Sequence, residues 1–210
     1  ISKAITGQKV VRLKSGDAGI FSRLDEEITA LDQAGLPFEV IPGVTTAAAA
    51  AASMGVSLTR RGRNGQVHLL TGYDINGFAD YDWRSLALES TVAAIYMGVK
   101  AIPHLQNKLL RQGAAGDTPI TVAENVGRKN AVWVASSLST LMNDCRDHNI
   151  TGPAILMLGL HPHIQRESLL SKKSQNSKNV FLYNDLSINR ILPQLAVKNV
   201  KSASTTRKTL

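Results

Sequence analysis

The spacing of apolar residues along residues 1–160 changes repeatedly between two periods. Short apolar runs bounded by turn residues predict strands at 10–14, 38–41, 67–70, 92–96, 120–123, 132–135 and 154–158. Apolar residues three or four positions apart predict helices at 20–34, 45–54, 81–89, 102–111 and 138–147. Only a short loop with Gly127 separates 120–123 from 132–135, so these two strands are predicted to pair antiparallel. The alternation of strands and helices predicts an α/β fold built in layers.

Changes in composition predict four segments. Residues 1–55 carry the first strand and helix units, and residues 56–66, which are polar and rich in Arg and Gly, are predicted to be a linker. Residues 67–165 are predicted to form a second α/β domain. The apolar pattern fades after Leu160, and residues 166–210, rich in Ser, Asn and Lys, are predicted to be a solvated, flexible tail.

The positive charge is concentrated in that tail. The chain carries a net charge of +8, and residues 166–210 hold nine of its 24 basic residues but two of its 16 acidic ones. Residues 1–165 are therefore nearly neutral, which argues against nucleic-acid binding by the folded part. A non-catalytic chain that binds a partner or nucleic acid through the tail stays an alternative interpretation.

The single cysteine, Cys145, excludes an internal disulfide and favours a reducing compartment, so a cytoplasmic location is predicted. Its neighbours are typical of an ordinary helix end, which argues against a role as a nucleophile. No apolar run is long enough to span a bilayer.

The segment at residues 10–27, VVRLKSGDAGIFSRLDEE, combines a predicted strand, a turn at Ser15-Gly16-Asp17 and a predicted helix. Such turns place free backbone N–H groups at the carboxyl end of a strand, where open α/β sheets bind ligands. Asp17 can accept hydrogen bonds from ligand hydroxyls or amines. Because strand–Gly–helix turns are also common as plain structure, the motif by itself leaves both interpretations open.

Further motifs follow in order: LPFEVIPGVTTA at 36–47, GVSLTRR at 55–61, Tyr96-Met97-Gly98, and DTP at 117–119 leading to Glu124-Asn125. Together they resemble the tetrapyrrole (precorrin-type) methylases, in particular the uroporphyrinogen-III C-methyltransferases, over residues 3–160. The resemblance implies a tetrapyrrole-methylase-like two-domain α/β sandwich that methylates uroporphyrinogen III to precorrin-2 in sirohaem or cobalamin biosynthesis. It also implies a homodimer and no metal. Another precorrin C-methyltransferase, acting on a different ring carbon, is the alternative within the family.

The resemblance implies S-adenosylmethionine as the cofactor, held between the two domains. The residues that match the family's cofactor contacts are Ser15, Gly16, Asp17, Ile20, Thr45, Thr46, Met97 and Val126. Those expected to contact substrate carboxylates are Arg12, Arg60 and Arg61. Arg12 is equally compatible with a structural ion pair, and the other two arginines with a solvated linker.

The chain also departs from the family pattern. The family's Gly-rich GxGPGD loop, with its proposed Asp base and a functional Lys, is expected before residue 1, so the first domain is predicted to be truncated at its N-terminus and no catalytic base is assigned. Ala18-Gly19 replaces Pro-Phe, Arg60 replaces a His, and Val126 replaces a Gly that contacts the cofactor. We therefore expect the printed chain to bind S-adenosylhomocysteine weakly or not at all and to show no measurable methyl transfer.

Overall fold

The computed structural model describes residues 1–163, in which strands and helices alternate as the sequence predicts. The helices are α1 (Ser2–Ile5), α2 (Leu24–Gln33), α3 (Thr46–Met54), α4 (Trp83–Leu86), α5 (Ile102–Arg111) and α6 (Leu141–Asp147), with a 3₁₀ turn at Val99–Ala101. The strands are β1 (His68–Thr71), β2 (Tyr73–Asp74), β3 (Gly77–Phe78), β4 (Ala93–Tyr96), β5 (Pro119–Glu124), β6 (Val132–Ser137) and β7 (Ala154–Leu158). The predicted α/β class is confirmed.

Five strands form one mixed sheet in the order β1-β4-β7-β5-β6, and β2 and β3 form a separate hairpin. β1 and β4 are parallel, whereas β7 runs antiparallel to both of its neighbours. β5 and β6 pair antiparallel, with Thr121 opposite Ala135, which confirms the predicted hairpin. Since β4 and β5 both oppose β7, their carboxyl ends lie at the same edge of the sheet, where β7 begins.

Side chains that alternate along the strands bury both faces of this sheet. On one face Ile95, Ile120 and Leu156 pack with Leu105 of α5 and Leu141 of α6. On the other face Ala94, Ile155 and Met157 pack against Ala47, Ala50, Ala51 and Met54 of α3. The small alanine side chains let α3 lie close to the sheet, so the start of this helix comes near the ends of β4 and β5.

The strands predicted at 10–14 and 38–41 are wrong, because both segments lack a hydrogen-bonded strand partner within residues 1–163. Val11 is 71% exposed and Leu13 is 81% exposed. An apolar, β-branched run becomes a strand only when a neighbouring backbone satisfies its N–H and C=O groups. The apolar pattern by itself does not show whether such a partner is present.

Three helices are shorter than predicted. α2 begins at Leu24 instead of residue 20, because Phe21 and Arg23 have φ values of 48° and 60°, which do not allow a right-handed helix. α4 covers only part of 81–89, and the side chain of Asp82 caps its start by accepting a hydrogen bond from the Ser85 N–H. α6 begins at Leu141 instead of 138. α5 spans the predicted residues.

The described residues belong to one compact unit by their contacts. The domain boundaries predicted around the linker at 56–66 stay predictions, and the predicted tail at 166–210 lies outside the described residues. No helix in the described part of the chain is both long and apolar enough to cross a membrane.

Candidate active site

A cleft of about 690 Å³ lies at the sheet edge where β4 and β5 end. Ligand pockets usually occupy roughly 300–1,000 Å³, and α/β sheets bind ligands at the carboxyl ends of their strands. Four parts of the chain form the walls: residues 12–22, the start of α3, the residues that follow β4 and β5, and the beginning of β7. The turn predicted from residues 15–17 is therefore part of a cleft.

The carboxylate of Asp17 holds two loops of the cleft together. Its Oδ1 accepts a hydrogen bond from the Gly19 N–H at 2.8 Å, and its Oδ2 accepts one from the Gly43 N–H at 2.9 Å. Gly43 packs so closely that a Cβ there would overlap the Gly16 carbonyl oxygen, and Gly16 itself has a φ of 72°. Since both Asp17 oxygens have backbone partners, this side chain shapes the cleft.

An ion-pair network fixes the strand-like segment before the turn. Lys14 Nζ donates to Glu27 Oε2 at 2.7 Å and to the Ser22 carbonyl oxygen at 2.6 Å, and its side chain is 11% exposed. The Arg12 Nε donates to the other oxygen of Glu27 at 3.2 Å. The hydrogen bond from Lys14, with the positive charges of Lys14 and Arg12, lowers the pKa of the Glu27 carboxyl. Glu27 thus ties two cleft-lining cations to α2.

Tyr96, the last residue of β4, connects three walls of the cleft. Its hydroxyl accepts a hydrogen bond from the Ala47 N–H at 3.2 Å and shares a short hydrogen bond with Thr45 Oγ1. The Phe21 ring lies 4.9 Å from the Tyr96 ring, centroid to centroid. Thr45 stands at the N-cap position of α3, but its side chain makes no capping bond.

Two residues that follow strands have left-handed backbones at the cleft. Met97 has a φ of 52° and Asn125 one of 54°, values that are uncommon outside glycine. The backbone at Met97 packs closely against Gly72. A Cβ at Gly72 would lie only 2.7 Å from the Met97 carbonyl oxygen, so this close approach requires glycine. Met97 is 55% exposed, so its soft apolar side chain is available to a ligand. Backbone strain of this kind often lies at binding sites.

The structure brings nine of the eleven predicted site residues into this one cleft: Arg12, Ser15, Gly16, Asp17, Ile20, Thr45, Thr46, Met97 and Val126. Arg60 and Arg61 lie elsewhere, in an open concavity formed by residues 59–65. Sequence reasoning missed Lys14, Phe21, Tyr96 and Arg128 as cleft residues. Lys14, Phe21 and Tyr96 stand within the recognised motifs, whereas no motif marked Arg128.

Three basic side chains and one acidic side chain line the cleft among the described residues: Arg12, Lys14, Arg128 and Asp17. The excess of positive charge favours an anionic ligand. The acidic side chain is already bonded to two backbone N–H groups. Within residues 1–163, the cleft therefore has no free carboxylate for use as a base.

The family model of the tetrapyrrole (corrin/porphyrin) methylases matches residues 1–142. The chain belongs to this family, which uses S-adenosylmethionine. The resemblance inferred from the motifs and the α/β fold that it implied are thereby confirmed.

Curated relatives include siroheme synthases. The protein of Xylella fastidiosa (strain M12) is 38% identical over 159 residues, which cover 76% of this chain and 33% of that protein. The protein of Gluconacetobacter diazotrophicus is 39% identical over 160 residues, covering 76% of this chain and 34% of that protein. The chain thus spans about a third of the length of these relatives.

Solved structures of methyltransferases share the fold. Uroporphyrin-III C-methyltransferase from Thermus thermophilus, in complex with S-adenosylhomocysteine, has a TM-score of 0.60 at 28% identity, covering 75% of this chain and 69% of that one. A cobalt-precorrin-4 methyltransferase has a TM-score of 0.70 at 23% identity, covering 75% of this chain and 66% of that one. This second likeness shows the fold alone.

Proposed function

We propose that the cleft binds S-adenosylmethionine and serves the C-methylation of uroporphyrinogen III to precorrin-2. One observation carries the proposal: nine residues matched to the family's site, spread from Arg12 to Val126, line one cleft. The cobalt-precorrin neighbour has the same fold, so methylation of a different ring carbon is the alternative within the family. The likeness to the Thermus enzyme supports uroporphyrinogen III.

The cleft residues fit the cofactor in size and polarity. Backbone groups of the turn at 15–17 and the hydroxyl of Thr46 are suited to its amino and carboxylate ends. Ile20 and Met97 offer apolar surface to its other parts. Val126, where the family keeps a glycine, is half-buried and packs against the apolar cluster around α3, which reduces the bulk that it adds to the cleft.

S-adenosylmethionine supplies an electrophilic methyl group on a sulfonium. The residues of this chain have to align the substrate carbon with that methyl group and exclude water. Uroporphyrinogen III carries acetate and propionate carboxylates on its pyrrole rings, so the basic cleft suits it. Arg12 is the predicted contact inside the cleft. Arg60 and Arg61 remain candidates for carboxylates that extend beyond it.

The test has a binding part and a transfer part. The printed chain, and in parallel the chain extended through any coding sequence contiguous with Ile1, is titrated with S-adenosylhomocysteine by calorimetry. Each is then incubated with uroporphyrinogen III and methyl-labelled S-adenosylmethionine. Product mass and the labelled ring positions separate precorrin-2 from methylation elsewhere. Absence of both binding and methylation of any tetrapyrrole by either chain would contradict the proposal.

A matched pair of methionine variants shows whether binding uses the cleft. Met97 in the cleft is 55% exposed, and Met142 on α6, outside the cleft, is 39% exposed. Met97→Ala is expected to weaken S-adenosylhomocysteine binding by roughly fivefold, because apolar contact worth about 1 kcal/mol is lost. Met142→Ala is expected to leave it unchanged. Equal effects of the two changes would place the ligand outside the cleft.

A further inference from the structure

Arg128 reaches the cleft from the loop between β5 and β6, on a different wall from Arg12. It lines the cleft together with Asn125 and Val126 from the same loop. Arg128 is exposed, and it belongs to none of the motifs that resemble the family. The family motifs therefore assign no role to Arg128 in the cleft.

The other two cations of the cleft already have partners. Arg12 donates to Glu27 and, at 3.1 Å, to the Leu13 carbonyl oxygen. Lys14 is bonded to Glu27 and to the Ser22 carbonyl oxygen. By contrast, the guanidinium of Arg128 has neither an ion pair nor a hydrogen bond with the described part of the chain. Among the cleft's described cations, it is the one whose charge is not yet matched.

The backbone that carries Arg128 is held in place. Its N–H donates to the Asn125 carbonyl oxygen at 3.0 Å, and its own carbonyl oxygen accepts from the Ala131 N–H at 3.2 Å. The Asn125 N–H donates to the Pro153 carbonyl oxygen at 3.0 Å, which fixes the loop to the start of β7. The loop thus has a defined position, and a ligand needs to order only the side chain of Arg128.

We propose that Arg128 binds a carboxylate of the tetrapyrrole substrate and helps the cleft to select the more highly carboxylated substrates. The inference rests on the proposed function and adds a residue that determines specificity. A guanidinium is suited to this role because it pairs with a carboxylate through two parallel hydrogen bonds. The contact then holds the substrate from the wall formed by the β5–β6 loop.

The test measures binding of uroporphyrin III, the stable oxidised form of the macrocycle, by its fluorescence. Arg128→Ala is compared with Lys129→Ala, which removes the same charge from the neighbouring exposed residue that does not line the cleft. Arg128→Ala is expected to weaken binding by about tenfold or more, since a charged hydrogen-bonded pair is lost. Lys129→Ala is expected to change it less than about twofold, the size of a surface charge effect.

Three further measurements separate a specific contact from a general loss of structure. Arg128→Lys is expected to restore part of the affinity, because it keeps the charge but not the paired geometry. The affinity for coproporphyrin III, which lacks the acetate carboxylates, is expected to fall less in Arg128→Ala than that for uroporphyrin III. The loss of uroporphyrin III affinity in Arg128→Ala is expected to exceed any loss of S-adenosylhomocysteine affinity, and equal losses for both ligands would overturn the assignment.

Equal affinities of Arg128→Ala and Lys129→Ala for uroporphyrin III would overturn the assignment of Arg128 and leave the proposed function intact. If the unmodified chain does not bind uroporphyrin III, this inference is overturned. The S-adenosylhomocysteine titration then shows separately whether the cofactor part of the proposed function still stands.

Discussion

The phenol oxygen of Tyr96 lies 3.2 Å from the backbone nitrogen of Ala47 and accepts its hydrogen bond. This contact joins the end of β4 to the first turn of α3. The first N–H groups of a helix have no partner within the helix, and a side chain at the N-cap usually satisfies one of them. Here the Thr45 hydroxyl bonds to Tyr96 instead and makes no capping bond. The Tyr96 hydroxyl, at the end of β4, takes the place of the cap by accepting the hydrogen bond of the Ala47 N–H.

Tyr96→Phe is expected to weaken S-adenosylhomocysteine binding and to lower the free energy of unfolding by about 1–2 kcal/mol, because the Ala47 N–H loses its partner. Tyr81→Phe is the matched control. The Tyr81 hydroxyl donates to the Thr71 carbonyl oxygen at 2.6 Å and accepts from the Thr71 N–H at 3.0 Å, and it lies outside the cleft. Urea unfolding should show similar losses in both variants, and calorimetry a loss of affinity in Tyr96→Phe alone. Unchanged affinity in Tyr96→Phe would show that the contact serves stability only.

Gly43→Ala is expected to disrupt the cleft, because the new Cβ would overlap the carbonyl oxygen of Gly16, which is backbone and has little freedom to move. The two loops must separate, and the hydrogen bond from Gly43 to Asp17 is lost with them. The expected loss in free energy of unfolding is about 1–3 kcal/mol, together with weaker S-adenosylhomocysteine binding. Gly65→Ala is the control, since a Cβ there meets nothing within 4 Å. Equal stability of the two variants in urea would contradict the close packing of these loops.

The helices and the central strands could be predicted because their signals are local. α5 has a regular apolar spacing, and the β5–β6 hairpin follows from two apolar runs around a short loop. The segment at 10–13 has an equally apolar pattern, but pairing depends on a neighbour that the pattern does not identify. Phe21 and Arg23 delay the start of α2 through left-handed backbones, and nothing in the residue types Phe and Arg signals this.

Nine of the residues that line the cleft were predicted as site residues, but the contacts that shape the cleft were not predicted. Asp17 as a cofactor contact stays a prediction, and what the motifs did not indicate is that both its oxygens bind backbone N–H groups, one of them 26 residues away. The bond between Tyr96 and Thr45 spans 51 residues. Contacts of this range arise only when the chain folds, so residue types and spacing do not reveal them. The same holds for Arg128, whose place in the cleft depends on the course of the β5–β6 loop.

Cys145 is expected to resist alkylation in the folded protein. The residue is 6% exposed, and burial, with a smaller effect from the charge of Asp144, raises the pKa of its thiol to about 11. At pH 8 only about one molecule in a thousand then carries the thiolate, against roughly a quarter for an unperturbed thiol. Iodoacetamide at pH 8 should therefore modify native Cys145 roughly a hundredfold more slowly than the same thiol in urea.

Ser90→Cys, at an exposed position, provides a fast-reacting internal control by mass spectrometry. Equal labelling of both thiols in the native protein would contradict the burial of Cys145.

Glu27→Gln is expected to make the stability of the protein less dependent on pH in the acid range. Lys14, through its hydrogen bond and charge, and Arg12 lower the pKa of Glu27 in the folded state. A carboxyl whose pKa is lowered by folding stabilises the protein above its unfolded pKa of about 4.3, and this contribution is lost as the pH falls through the lower folded value. Urea midpoints should therefore be higher for the unmodified chain than for Glu27→Gln between about pH 5 and 8, and the two should converge as the pH falls through the lowered folded pKa of Glu27. Glu39→Gln removes an exposed carboxylate that has no ion pair or hydrogen bond with residues 1–163, so it should show no such gap at neutral pH. If the difference in urea midpoint between the unmodified chain and Glu27→Gln is equally large at pH 3 and pH 7, the ionised carboxylate is not its source. Lys14 and Arg12 would then be held in the cleft by other contacts.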